Sequence, residues 1–165
     1  MPAIASCCSL GWQSQEVAMT SGFWGQALHL WCWQVAGFGL LFAAGGLAGA
    51  DAAAGLYYWL VSGRQLDAGA FDAPGMRSTL GVMGGLMFGW GVSLIAVYRA
   101  VGADVRVWRA LGWGVAGWFV VDSALSLATG LPGNAIANTL FLIQFLVPAV
   151  KLGFFSRETA SRSPA

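Results

Sequence analysis

Charge is what this sequence has least of. Eight basic and seven acidic residues are spread over 165 positions, 9% of the chain, where soluble domains carry about 25%. Too little polar surface is left to keep a globule in water. The net charge of +1 also removes the case for a nucleic-acid partner, since neutralising phosphates takes clustered Lys and Arg. Histidine occurs once, at His29, which excludes a bis-histidine haem within one chain and leaves no second imidazole for a metal. The three cysteines, Cys7, Cys8 and Cys32, lack CxxC spacing, so neither a zinc site nor a redox pair is expected. HExxH, GxSxG and a glycine loop ending in Lys-Ser/Thr are missing, as is a pair of carboxylates in one segment. The sequence therefore names no catalytic residue, metal or cofactor, and it leans away from an enzyme.

Hydrocarbon is what it has most of. Hydrophobic residues make up 58% of the chain, gathered into blocks near the 20 or so residues that cross a bilayer. Four blocks stand out, at about residues 23–50, 80–101, 107–129 and 135–155. None shows the period-two alternation of a membrane barrel. A backbone in lipid must satisfy its own hydrogen bonds, which leaves helices. The expected fold is all-α, a polytopic membrane protein with a four-helix transmembrane bundle over residues 23–155. A cytoplasmic or interfacial segment, 1–22, would precede it and a cytoplasmic tail, 156–165, would follow. Residues 1–22 hold no Lys or Arg and no continuous apolar core, so no cleavable targeting signal is expected. Trp24, Trp31 and Trp33 suit a membrane interface, and Tyr57-Tyr58-Trp59 suits a surface segment or a late turn of the first helix. Asp72-Ala73-Pro74-Gly75 reads as a turn, with Ser78 or Thr79 as cap of the second helix.

Short links between the later blocks make neighbouring helices antiparallel. The N-terminus, the second link and the C-terminus then share one side and hold Arg99, Arg106, Arg109, Lys151, Arg157 and Arg162. The other side holds Arg64 and Arg77. Six basic residues against two place both termini in the cytoplasm of a bacterial inner membrane.

In the second block, Gly81, Gly85 and Gly89 recur every four residues. This double GxxxG puts bare backbone along one helical face, where helices pack closely in lipid. Gly45 and Gly49 repeat the spacing, and Ala110, Gly114 and Gly117 form a similar small face on the third block. Such faces serve packing within the bundle, a homo-oligomer or another subunit.

Asp122 interrupts the third block. A mid-helix Asp costs about 2.5–3.5 kcal/mol on the insertion scale, while the eight large apolar residues of that block return roughly 2.4–4.8 kcal/mol. The carboxyl nearly cancels the gain, so it should face the bundle interior. Ser126 and Thr129 share its helical face, and Trp118 lies one turn before it. Across the Leu-Pro-Gly-Asn turn come Asn134 and Asn138, and Arg77 opens the second block at the same membrane side. These six residues, Asp122, Ser126, Thr129, Asn134, Asn138 and Arg77, make a candidate polar pocket or an interhelical hydrogen-bond knot. His29 is a secondary candidate toward the opposite side, on a face with Gln26, Cys32 and Trp33, and with Gln144 or Ser93 as partner. Pro148 is expected to kink the fourth helix near Gln144.

The segments "GVMGGLMFGWGV", "WFVVDSALSL" and "NAIAN" together resemble small bacterial four-helix membrane proteins of the DoxX-like kind, over residues 77–151. That resemblance implies an inner-membrane bundle and no assured activity. Three functions are consistent with these residues. The first is an accessory or assembly subunit of a larger membrane complex, with the lipid bilayer and other subunits or further copies as partners. The second is a small-solute or proton-linked carrier or binding protein using Asp122. The third is a membrane enzyme acting on a lipid or quinone.

Overall fold

The computed structural model describes residues 22–64, 69–73 and 75–156. Cys7, Cys8, Arg157, Arg162 and the proposed segment before residue 22 lie outside them. The described chain is all-helical: α1 (Phe23–Gly45), α2 (Ala52–Ser62), α3 (Met76–Val101), α4 (Val105–Ala128) and α5 (Pro132–Lys151), with a 3-10 turn at Ala70–Asp72. Four of these helices, α1, α3, α4 and α5, are long and apolar enough to cross a membrane. The chain is an all-α four-helix membrane bundle with a short fifth helix. Its two ends differ. One carries α2 and the α4–α5 turn (the α2 end); the other carries the start of α1, the end of α5 and the α3–α4 link (the terminal end).

Local chemistry sets the boundaries. The first span stops at Gly45 rather than near residue 50, because Gly46 closes the helix and Gly49 takes a left-handed φ of 80° in the turn that follows. α2 is thus a separate helix, ended by Gly63 in the left-handed conformation. α3 starts at Met76 behind Gly75, so Ser78 and Thr79 sit inside the helix and neither caps it. Asp104 caps α4, its Oδ1 accepting from the backbone N–H groups of Arg106 and Val107 at 2.9 Å each. At the far end of α4, Leu131 N–H reaches Ser126 O (2.8 Å) and Gly130 N–H reaches Leu127 O (3.2 Å). This is a Schellman ending, and Pro132 follows at the first turn of α5. The same device ends α5: Phe154 N–H bonds Ala149 O and Gly153 N–H bonds Val150 O.

The most extensive contact joins α1 to α3. It is a backbone-to-backbone seam. A Cβ added at Gly84 would stand 2.1 Å from Ala43 N, one at Gly39 2.2 Å from Phe88 N, and one at Gly91 2.4 Å from Ala36 N. Gly46 lies against Gly81 in the same way. The α1 positions 36, 39, 43 and 46 and the α3 positions 81, 84, 88 and 91 alternate steps of three and four, the spacing of a left-handed helix pair. The glycines this seam uses are therefore Gly84 and Gly91, with Gly81 at its margin. Gly85 and Gly89 are exposed, with open space where a Cβ would point, as it is at Gly114 and Gly117.

The core fills the terminal half. Trp31, Trp108, Phe145 and Phe154 are fully buried there. Trp31 is not interfacial: its indole N–H donates to Phe141 O (3.1 Å) and its ring packs on Phe145. Trp108 donates to Gly102 O (2.8 Å) and stacks on Phe154. Trp24 and Trp33 stay at the surface of α1, beneath Lys151 and Arg99 respectively. Pro148 lies inside α5, buried in the same core.

Candidate functional site

α3 and α4 are consecutive, yet their backbones do not pack against each other. The rings of Tyr98 and Trp108, then of Trp90 and Trp118 (centroids 6.4 Å apart), bridge them in the terminal half. Beyond Trp90 and Trp118 a cleft of about 1120 Å³ opens between the two helices, as large as the clefts that take drug-sized ligands, about 300–1,000 Å³. Phe38 and Phe42 of α1 and Phe141 of α5 form its back wall, and Tyr57, Tyr58 and Val61 of α2 lie across its α2 end. Leu86, Met83, Val121 and Leu125 line its flanks and are themselves exposed, so the cleft opens sideways from the bundle.

One wall is polar. Asn138, buried on α5, donates through Nδ2 to Asp122 Oδ2 at 2.9 Å and to Ser123 Oγ at 3.4 Å. Ser126 donates to the backbone oxygen of Asp122 (2.7 Å) and accepts from Asn134 Nδ2 (2.7 Å). Asn134 Oδ1 in turn accepts from the Tyr57 hydroxyl. Two hydrogen-bond paths therefore leave the Asp122 turn, one to Asn138 and one through Ser126 and Asn134 to α2. Burial, and second to it the Asp122 carboxyl, hold the Tyr57 phenol above its ordinary range, so it keeps its proton and donates. Asp122 Oδ1 makes no hydrogen bond among the described residues.

The structure brings together Asp122, Ser126, Asn134 and Asn138 from the expected set. Thr129 stands at the cleft but donates within its own helix, to Leu125 O. Arg77 does not join them. Its guanidinium is committed to Asp51 (3.1 Å), Asp72 (2.6 Å) and Leu47 O (3.0 Å), where it ties the α1–α2 turn to the start of α3. Those carboxylates lie beside it in the exposed turns of the α2 end, whereas Asp122 sits across the cleft.

Tyr57 is the contributor that the sequence leaves unassigned. Its trace is Gly133: a Cβ there would lie 2.0 Å from Val61 O, so the bare backbone at the start of α5 is what lets α2 fold over the cleft. The aromatic wall of Phe38, Trp90, Trp118 and Phe141 is likewise invisible as a unit, because it draws on four helices.

His29 lies at the other end, stacked on Tyr98 with ring centroids 4.6 Å apart. Its Nε2 is buried with no hydrogen-bond partner among the described residues. Neither expected partner reaches it: Ser93 donates to Gly89 O within α3, and Gln144 is exposed on α5. Cys32 is a buried free thiol in the seam.

Chemically, the cleft offers one carboxyl, spare acceptor capacity on it, and rings. It holds no nucleophile–base pair, and no group of three His, Cys, Asp or Glu that would hold a metal occurs among the described residues. No family model, no curated protein and no solved structure matches this chain.

Proposed function

We propose that this protein is a membrane-embedded binding protein for an amphipathic small molecule, which it holds between α3 and α4 with its polar group at Asp122. The observation that carries this reading is the lateral cleft itself: apolar and aromatic along its length, polar on one wall, and open to the side of the bundle. Filled bundles bury their apolar side chains against each other; here Leu86 and Leu125 both line the cleft and are exposed. In this reading the membrane is the bacterial inner membrane, with the α2 end on the non-cytoplasmic side and both termini cytoplasmic. Six basic residues against two support that orientation.

The test is native mass spectrometry of protein purified in mild detergent. The wild type should retain an amphiphile adduct that Ala137→Trp, which fills the cleft from α5, loses while keeping its helix content. Equal adducts in both proteins, or none in either, would contradict the reading.

One observation favours a second reading, the accessory subunit. Gly85 and Gly89 are exposed on α3 and belong to neither the cleft lining nor the α1 seam. Gly85→Leu should then release a co-purifying partner without loss of fold, and an unchanged set of partners would count against it.

A further inference from the structure

We propose that the ligand class of this cleft is a lipophilic organic cation, a molecule whose positive charge is spread under aromatic or aliphatic groups. The inference rests on the ligand-site reading above and names what the site selects.

Charge is the first argument. Asp122 is the one acidic residue within the four spans. The cations of the α2 end do not neutralise it, since Arg77 is held by Asp51 and Asp72 and Arg64 sits in the exposed turn after α2. Arg106 and Arg109 start the same helix, about 20–24 Å away along its axis at 1.5 Å per residue. A carboxyl in hydrocarbon is costly without a counter-charge, and among the described residues no basic side chain pairs with it.

Hydrogen bonding is the second. Three neighbours of Asp122 have spent their protons: Asn138 gives both to Asp122 and Ser123, Ser126 gives its own to the Asp122 backbone, and Tyr57 gives its own to Asn134. Asp122 lines the cleft and its Oδ1 makes no hydrogen bond among the described residues, which leaves an acceptor there. Anions and carbonyl compounds need donors, and those nearest the carboxyl, on Asn138, Ser126 and Tyr57, are spent within the protein. A cation needs an acceptor.

The rings are the third argument. Trp118 lies one helical turn below Asp122, packed on Trp90 and on Phe141, and Tyr57 closes the site from α2. Aromatic faces carry negative potential and hold organic cations when water is excluded. A compact, strongly hydrated ammonium would lose its water shell to enter; a cation wrapped in apolar groups has little to lose.

The isosteric ions tetraphenylphosphonium and tetraphenylborate test this, together with triphenylmethane as a neutral probe of similar bulk. Binding is measured by equilibrium dialysis of the purified full chain, with protein-free micelles subtracted. The wild type should prefer the phosphonium over the borate by about tenfold or more. Asp122→Asn should abolish that preference, and Asp122→Glu should keep it. Helix content and size-exclusion profile confirm that both variants fold; if Asp122→Asn does not, the phosphonium-to-borate ratio of Asp122→Glu and of the wild type still decides. Equal binding of all three probes, blocked by Ala137→Trp, would overturn the cation inference and leave the cleft reading standing. Binding of none would overturn both.

Discussion

The terminal half and the α2 half of this bundle are built from the same four spans and packed in opposite ways. In the terminal half Trp31, Trp108, Phe145 and Phe154 interlock, and both buried indoles give their N–H to backbone oxygens. In the α2 half the α1–α3 seam continues, backbone on backbone, while α4 lacks the ring bridges to α3 that the terminal half has and packs its backbone on α5. The cleft is what that divergence leaves. α3 thus has one side welded by glycine and another kept apart, and a rigid seam beside a gap is how a small bundle holds a pocket without collapsing into it. The polar wall has the matching role on the far side, where Asn138 and the Ser126–Asn134–Tyr57 path hold α4, α5 and α2 in place.

The largest expected effect breaks the packed half. Trp108→Ala removes a fully buried ring and its hydrogen bond to Gly102, and should cost about 3–5 kcal/mol, read as a drop in unfolding midpoint in mild detergent. Next comes the seam. Gly84→Ala drives a methyl into the Ala43 backbone and should cost on the order of 1–3 kcal/mol. Gly85→Ala, one residue on, meets open space and should be neutral or gain up to about 1 kcal/mol from helix propensity. Equal losses at the two glycines would refute the seam.

A smaller effect belongs to the α2 closure. Tyr57→Phe deletes the hydrogen bond to Asn134, worth about 0.5–1.5 kcal/mol. Its pH dependence carries a sign. The folded phenol is held above its ordinary value, so the folded state binds its proton more tightly than the unfolded chain does. Raising the pH past the ordinary tyrosine value of about 10 therefore withdraws stability from the wild type. Tyr57→Phe should lose less over that range, and identical alkaline profiles would show the phenol uninvolved. The smallest effect is Leu86→Ala on the cleft flank, which leaves a side chain already 73% exposed and should change stability by no more than about 0.5 kcal/mol. A loss comparable to that of Trp108→Ala would mean that the cleft is closed and packed.

Much of this was legible in the sequence because it depends on local rules. Hydropathy blocks locate the spans, Gly130 and Pro132 mark the hairpin, and Asp122 with Asn138 follows from helical spacing across a short turn. What was not legible depends on a partner helix. α3 offers overlapping small faces, and Gly84 and Gly91 are chosen over Gly85 and Gly89 only because Ala43 and Ala36 stand opposite. Arg77 points at Asp51 and Asp72 because the turns bring those acids to it, which spacing along one helix does not reveal. Trp31 looks interfacial by type, yet it packs inward because its face of α1 meets Phe141 and Phe145.

The central claim, that the gap between α3 and α4 is a binding site governed by Asp122, is tested most directly with an arsenic-labelled ligand. Crystals of the wild type grown with tetraphenylarsonium should show a single strong anomalous arsenic peak between Asp122 and Trp118, absent from Asp122→Asn crystals grown alike. A peak elsewhere on the bundle, or a cleft left without one at saturating ligand, would contradict the account.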